Sequence, residues 1–270
     1  MEHEGMEMTE MIRKECTIPA TEMCAFLANY SSRLFTSGST CIRLEKNVTR
    51  IAEAYGMNVE ITILPRHIHL TVHDPGYHEV VTAIASIGEG PISFDLNTRL
   101  SKLSWQIADG KISFEEAREV FERLVDIPYH NIFNLPIIVA CANAAFCRLF
   151  NGDWIAMAVV FVATFVGYIL KILLTKRGVD YRLTVVACAF VSSVLAACDG
   201  LFGLSSTPDV AFATSVLYLV PGIPFINSFS DMLDRHYICA FGRLMNALVL
   251  TFCLSFGLGL GILLTGVHIF

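Results

Sequence analysis

The residues best suited to chemistry lie in the last fifth of the chain, around two closely spaced prolines. Pro221, Gly222 and Pro224 fall within an apolar segment over 210–229. Each proline removes a backbone hydrogen-bond donor, so this spacing predicts a break in a helix. Inside a membrane, broken backbone is tolerated where protein or a water-filled cavity covers it, and its free N–H groups can bind charged solutes. A plain proline kink, or a helix end at the cytoplasmic surface, is the alternative interpretation.

Polar side chains follow this break at helical spacing. Asn227 and Asp231 are four residues apart, so a continuing helix places both on one face. Arg243 is predicted to open the next apolar segment, with Asn246 on the same side. Asp231 and Arg243 are expected to pair when no solute is bound, and a solute carboxylate would compete for the two-pronged guanidinium. The alternative is that both are ordinary loop residues at the membrane edge.

Asn143 is a further polar candidate, this time within an apolar segment. It lies within the first long apolar segment of the chain. A polar side chain at this depth can line a solute pathway, but it can equally form a hydrogen bond to a neighbouring helix. Both interpretations stay open for Asn143 at the level of sequence.

Composition divides the chain into two parts. Of its 270 residues, 54% are hydrophobic and only 16% are charged, whereas about a quarter are charged in an ordinary soluble domain. Residues 1–130 contain 12 Lys/Arg and 19 Asp/Glu, and residues 131–270 contain 7 Lys/Arg, 6 Asp and no Glu. The pattern predicts a soluble domain over 1–130 and a membrane domain over 131–270. The net charge of −6 argues against a nucleic-acid partner.

The N-terminal domain is predicted to be α/β. Two helices, up to four strand-like runs and two more helices follow one another, with the periodicities typical of each. They are expected over 21–36, 40–55, 59–64, 68–72, 80–85, 92–94, 97–108 and 113–125. The last helix opens with Ser113 and Glu116, which have the spacing of a capping box.

The membrane domain is predicted to be all-α, with about five transmembrane helices, the fourth broken at the proline motif. They are expected over about 132–150, 154–174, 183–201, 210–229 and 244–267. Lys176, Arg177 and Arg182 lie between the second and third helices, whereas 151–153 and 198–209 contain no Lys or Arg. The positive-inside rule then predicts a multi-pass protein of the plasma (inner) membrane, with its N-terminus in the cytoplasm and its C-terminus outside.

Histidines in the N-terminal domain raise the question of a metal site. His67, His69 and His73 fall on one face of a predicted strand, because side chains alternate along it. Imidazoles bind zinc, but six residues of extended strand span about 20 Å, which is too far for one ion. A solvent-facing polar surface is the preferred interpretation. The nine cysteines contain no C-x-x-C pair, so neither a metal nor another cofactor is predicted.

The chain is not predicted to be an enzyme. It contains no G-x-S-x-G elbow, no P-loop and no G-x-G-x-x-G motif. Without a nucleotide motif, the proton gradient is the expected driving force for transport, and Asp231 is the candidate proton-linked carboxylate. Two alternatives remain open: a membrane-anchored scaffold or sensor, and a membrane-tethered hydrolase that uses the N-terminal domain.

Several segments together resemble the threonine/serine exporter family. Residues 219–231, with Tyr237 and Arg243, are similar to its pattern of Pro-Gly-x-Pro, an Asn three residues later, an Asp four residues after that, and an Arg opening the next helix. Residues 37–56 resemble the N-terminal helices of the family, and 145–154 resemble its first outer turn. The resemblance covers nearly the whole chain.

This resemblance implies the larger subunit of the split, two-component form of the family, similar in size and order to the larger component of a two-component succinate exporter. It implies a separately encoded, smaller membrane subunit as partner in the lipid bilayer, and a homo-oligomer stays open. The exported solute would be a small carboxylate-bearing metabolite: threonine, serine or a dicarboxylate such as succinate. One departure is 234–236, Asp-Arg-His, where a small or glycine-containing turn is expected.

Overall fold

A computed structural model of the chain describes residues 18–76, 78–88, 90, 92–126 and 134–266. The chain forms two compact units. The first contains Met1–Ile127 together with Ile226–Arg243, and the second contains Pro128–Phe225 together with Leu244–Phe270.

Ten α-helices, three β-strands and one short 3₁₀-helix make up the described part of the chain. In order they are α1 Ala20–Thr36, α2 Cys41–Ala54, β1 Asn58–Ile63, β2 His67–Asp74, β3 Glu79–Ser86, α3 Phe94–Ala108, α4 Phe114–Asp126, α5 Leu135–Leu149, α6 Trp154–Lys176, α7 Tyr181–Phe202, α8 Pro208–Thr214, the 3₁₀-helix Leu217–Leu219, α9 Gly222–Leu233 and α10 Tyr237–Thr265.

The first unit is built around a three-stranded antiparallel sheet of order β1-β2-β3. Ile68, Leu70 and Val72 of β2 are fully buried, because alternate side chains of the strand point toward α1. On α1, Met23 and Leu27 are fully buried at helical spacing. The α/β character predicted for this region is therefore confirmed.

Helices α3 and α4 begin at sequence signals that can be read directly. Ser113 Oγ accepts from Glu116 N at 3.3 Å, and Glu116 Oε2 accepts from Ser113 N at 2.8 Å, which confirms the predicted capping box. The run over 92–94 is not a strand: Ser93 Oγ caps α3 by accepting from Leu96 N at 3.2 Å. The hydrogen bond that Ser93 forms as N-cap favours the start of a helix here over a short strand.

In the second unit, glycines allow helices to approach closely. A Cβ at Gly257 of α10 would lie 2.5 Å from the carbonyl oxygen of Val186 on α7, and one at Gly261 would overlap Ser193 Oγ. Such small-residue contacts are typical of helix packing in membranes.

Three helices, α6, α7 and α10, are long and apolar enough to cross a membrane. A fourth crossing arises if Pro208–Leu219 and Gly222–Leu233 are taken together as one bent segment, with a 61° angle between its halves. Helix α5 is apolar but has only 15 residues, and the predicted start of its span, 132–133, lies outside the described residues. The described helices therefore provide three to four candidate spans, and the predicted count of five stays a prediction.

The start of the last helix differs from its predicted position. Helix α10 begins at Tyr237, so Arg243 lies in its second turn and does not open it. The predicted spans left 230–243 as a connection, but α9 and α10 are joined by 234–236 alone. In this turn Arg235 adopts φ +67° and His236 N donates to Asp231 O at 2.8 Å. Arg235 thus takes the left-handed conformation for which a glycine was expected. Residues 237–243 contain no proline, so the backbone can form helical hydrogen bonds there and the helix starts earlier than predicted.

Candidate functional site

Three predicted site residues meet in the first unit. Asn227 and Asp231 lie on α9, Arg243 lies on α10, and the loop over 37–40 joins α1 to α2. The side chains of all three residues contact this loop or the first residue of α2. We call this cluster the 231–243 site.

A buried ion pair lies at its centre. Asp231 Oδ2 is 2.9 Å from Arg243 Nη1, the Asp231 side chain is fully buried and that of Arg243 is 15% exposed. The pairing predicted from the sequence is present, and neither residue is an exposed loop side chain. Within the described residues, neither of these two atoms has a hydrogen-bond partner elsewhere. Each charge therefore depends on the other, and removing one leaves the second uncompensated.

The second oxygen of Asp231 caps helix α2. Asp231 Oδ1 accepts from Cys41 N, the first residue of α2, at 2.8 Å. Thr40 occupies the N-cap position without a side-chain hydrogen bond, so Asp231 supplies the acceptor that the cap residue does not. A carboxylate there is also favoured by the positive end of the helix dipole. The site is thus an anion position, occupied by the protein's own carboxylate.

Arg243 is held in place by two further contacts. Its Nη2 donates to Ser39 O at 2.7 Å, and its guanidinium carbon lies 4.2 Å from the centre of the Phe35 ring. The cation–π contact and the carbonyl keep the guanidinium plane fixed. Arg243 is therefore preorganised to receive a carboxylate at Nη1.

Asn227 also binds the loop over 37–40. Its Nδ2 donates to Gly38 O at 2.9 Å. Gly38 has φ +93°, and a Cβ there would lie 2.7 Å from Ile92 Cγ2, so the loop conformation requires glycine. Asn227 and Arg243 thus bind consecutive carbonyls of this loop, those of Gly38 and Ser39.

Two thiols also border the site. The sulfurs of Cys41 and Cys239 and a carboxylate oxygen of Asp231 lie within 4.8 Å of one another, and all three residues are buried. Hydrogen bonding to Cys239 and burial both raise the pKa of the Cys41 thiol. A protonated thiol is a poor metal ligand, and Arg243 already neutralises the carboxylate. The hydrogen bond with Cys41 lowers the pKa of the Cys239 thiol, so the two sulfurs differ, and the described geometry accounts for the Asp231 carboxylate through Arg243 and the Cys41 amide.

The proline motif lies at the start of α9. Pro221 stands between the 3₁₀-helix and α9, and Gly222 and Pro224 occupy the first turn of α9. These three residues belong to the second unit. A role for them in solute binding stays a prediction.

Asn143 also belongs to the second unit. Its Nδ2 donates to Thr164 Oγ1 at 2.6 Å and to Thr214 O at 3.0 Å. Thr214 is the last residue of α8, where backbone carbonyls have no partner further along the helix. Asn143 therefore donates a hydrogen bond to a carbonyl at the end of α8 that has no partner within its own helix. This matches the prediction that its side chain bonds a neighbouring helix.

The histidines of β2 have a different position from the 231–243 site. His67 is exposed and His69 and His73 are half-buried, on the face of β2 opposite its buried residues, as the alternation predicts. Among described residues that could jointly hold a metal ion, no set includes a histidine.

The neighbours of the 231–243 site that the sequence did not reveal are the loop carbonyls, the Cys41 amide, Phe35 and Cys239. Cys41 and Asp231 are 190 residues apart, and no local pattern links them.

Comparison with known proteins places these observations in a family. The profile of the ThrE family, "Putative threonine/serine exporter", matches residues 25–265. The chain is 28% identical over 253 residues to "Probable succinate transporter subunit YjjP" of Klebsiella aerogenes, covering 92% of this chain and 95% of the relative. The protein of the same description in Escherichia coli K12 is 26% identical over 240 residues, 87% of this chain and 91% of the relative.

A longer relative is matched over half of its length. "Threonine/serine exporter" of Corynebacterium glutamicum is 23% identical over 242 residues, 86% of this chain and 49% of the relative. No solved structure matches the chain. The family profile covers nearly all of the chain, including both units and the apolar helices. The chain is therefore a membrane protein that belongs to the threonine/serine exporter (ThrE) family.

Proposed function

We propose that this chain is a subunit of a secondary-active exporter that moves small carboxylate-bearing metabolites out across the plasma (inner) membrane. The observation that carries the proposal is the Asp231–Arg243 pair, in which each facing atom has no other hydrogen-bond partner among the described residues. A buried carboxylate that pairs with arginine and caps a helix occupies the position that a solute carboxylate would take.

At this position the solute carboxylate would compete with Asp231 for Arg243 Nη1, bound by the guanidinium and by the amide at the start of α2. Asp231 is the candidate carrier of the coupled proton. For an inward proton gradient to drive export, Asp231 must carry its proton on the return step, when no solute is bound, and release it inside before the next solute binds. Asn227 keeps the loop carbonyl of Gly38 in place throughout the exchange.

The relatives support a two-component arrangement. The chain covers 95% of a relative named as a transporter subunit, but only 49% of the longer threonine/serine exporter. We therefore assign it to the larger subunit of the split form, completed by a separately encoded smaller membrane subunit. Threonine, serine and succinate all carry the carboxylate that the 231–243 site would bind. Succinate is the first choice, because the two relatives that match over more than nine-tenths of their length are described by that solute.

For the membrane arrangement, we propose a cytoplasmic domain over 1–130 and a transmembrane domain over 131–270. The segment over 132–150, which contains helix α5, is the proposed first span, and α6, α7 and the last helix supply three more. The proline motif breaks the remaining span, the fourth. In this arrangement the solute pathway passes the helix break at Pro221, Gly222 and Pro224. Asn143 stabilises this break from the neighbouring helix.

Efflux from preloaded cells tests the proposal. We would measure loss of threonine, serine and succinate from cells that produce the chain with and without the small membrane subunit. The expected result is faster loss of one solute, only when both subunits are present. If none of the three leaves faster although both chains are in the membrane, the exporter proposal for these solutes is wrong.

Variants of the ion pair connect efflux to the site. Asp231→Asn and Arg243→Ala are expected to abolish efflux while the protein remains inserted. Asp234→Asn is the matched control, because Asp234 is exposed and three residues from Asp231. Equal efflux by Asp231→Asn and by the control would remove Asp231 from the mechanism. In a scaffold or sensor, the same variants would change partner binding and leave solute flux untouched.

A further inference from the structure

A basic groove lies between α2 and α3, within the first unit. It has a volume of about 540 Å³ and opens to solvent. Its charged and aromatic lining comes from one face of each helix: Arg43, Lys46 and Arg50 of α2, and Lys102 and Trp105 of α3. No acidic residue is among the residues that line it. We call it the α2–α3 groove.

The four cations of this groove lack the carboxylate partners that four other cations of the same unit have. Arg99, Lys111, Arg118 and Arg123 each pair with a carboxylate close by in the sequence. In the described ranges, Arg43, Lys46, Arg50 and Lys102 form no ion pair. Acidic residues outnumber basic ones by 19 to 12 over 1–130, so a cluster of four unpaired cations is not the result of a shortage of acids.

Neutral side chains hold the two guanidinium groups in place. Arg50 Nη1 donates to Asn47 Oδ1 at 2.9 Å and to Ser104 Oγ at 2.8 Å, and its guanidinium carbon lies 3.7 Å from the centre of the Trp105 ring. Arg43 Nη1 donates to Asn97 Oδ1 at 3.0 Å. These bonds fix the geometry without neutralising the charge. Such fixed, uncompensated guanidinium groups are suited to binding an anion.

The size and the lining indicate the class of anion. Four positive charges suit a ligand with several negative charges, and the hydroxyls of Thr98 and Ser101 offer further donors. Trp105 is 54% exposed, and the ring face that Arg50 does not cover provides an aromatic surface for a flat ring. A groove of this volume accommodates a ligand of nucleotide size, and with no carboxylate in its lining it has no general base for hydrolysis.

We infer that the α2–α3 groove binds a nucleotide-class organic phosphate, with the phosphates against Arg43, Lys46 and Lys102 and the ring against Trp105. The groove reaches the loop over 37–40 through Thr40, but it shares no charged residue with the 231–243 site, and the inference does not depend on solute export. Because no carboxylate lines the groove to act as a general base, the ligand would be bound without being hydrolysed.

Tryptophan fluorescence of the purified full-length chain tests this inference. The chain has two tryptophans, so Trp154→Phe leaves Trp105 as the single reporter. ATP, ADP and AMP would be titrated into this variant in detergent. The expected result is a saturable change in Trp105 emission, with an affinity that falls as salt is added, because salt screens the phosphate contacts. No saturable change with any of the three nucleotides would overturn the inference.

Charge-reversal variants test whether nucleotide binding depends on the lysines of the groove or only on the net charge of the protein. In the same background, Lys46→Glu with Lys102→Glu is expected to weaken nucleotide binding by about tenfold or more, which corresponds to about 1.4 kcal/mol. Lys111→Glu with Arg118→Glu changes the net charge equally outside the groove and should leave the affinity unchanged. Equal weakening by both pairs would show non-specific attraction and overturn the proposal.

Competing ligands test the chemical class. Pyrophosphate is expected to displace the nucleotide, but with a weaker affinity, because it lacks the ring that contacts Trp105. Stronger displacement by succinate would assign the groove to a carboxylate solute. A Trp105 response to vesicles of phosphatidylglycerol but not to nucleotides would assign it to lipid headgroups. Either of these last two results contradicts the inference.

Discussion

At the scale of single residues, the Asp231–Arg243 pair has a structural role as well as a proposed role in transport. Asp231→Asn keeps an acceptor for the Cys41 amide but removes the charge that compensates Arg243. Breaking a buried pair from one side is expected to lower the free energy of unfolding by about 3 kcal/mol. The midpoint of thermal unfolding of the purified chain measures this loss.

A second substitution separates stability from transport. The double variant Asp231→Asn with Arg243→Gln has no uncompensated charge, so it should recover most of the lost stability. It should not recover efflux, because no guanidinium is left to bind the solute carboxylate. Recovery of both properties would show that the pair serves only to stabilise the first unit.

At the scale of secondary structure elements, the start of α4 should make stability depend on pH. Hydrogen bonds from the backbone and side chain of Ser113 lower the pKa of Glu116. Glu116 therefore stabilises the fold above its unfolded-state pKa, and this stabilisation is lost as the pH falls through its lowered folded-state pKa. Ser113→Ala should reduce the unfolding midpoint by a few degrees at neutral pH. The difference from wild type should shrink in acid, and a difference that is constant with pH would contradict this account.

Glycine spacing on α10 gives a second prediction at this scale. Gly257 and Gly261 leave no room for a Cβ against α7, whereas Gly259, between them, has nothing within 4 Å. Gly257→Ala or Gly261→Ala should lower the thermal midpoint, because α7 and α10 must move apart. Gly259→Ala should keep or raise it, since alanine favours a helix over glycine by about 1 kcal/mol. If all three variants behave alike, close packing of these helices is not what the glycines provide.

At the scale of the whole molecule, the number of spans determines the side of the C-terminus. Five spans place the two termini on opposite sides of the membrane, and four place them on the same side. An alkaline phosphatase fused after Phe270 is expected to be active, because it reports an external C-terminus. A fusion at the basic connection over 176–182 should be inactive and serves as the control. Activity of the second fusion together with silence of the first would reverse the proposed orientation.

Much of the local structure could be predicted from the sequence, because its causes are local. Hydrophobic periodicity predicted α1, α2 and the three strands, and the spacing of Ser113 and Glu116 predicted the start of α4. The loss of charge after residue 130 predicted apolar helices, of which three are long enough to cross a membrane. The pairing of Asp231 with Arg243 was also expected, since opposite charges were placed near one turn.

The tertiary structure alone decided what surrounds that pair. It brings Asp231 to the first amide of α2, 190 residues earlier in the chain, and Arg243 to the carbonyl of Ser39, 204 residues earlier. It also begins α10 at Tyr237, which moves Arg243 from a helix start into its second turn. Residue patterns report periodicity over a few turns, whereas these contacts depend on how distant elements pack. The sequence therefore determined which groups carry the charge, and packing determined which backbone groups they bind.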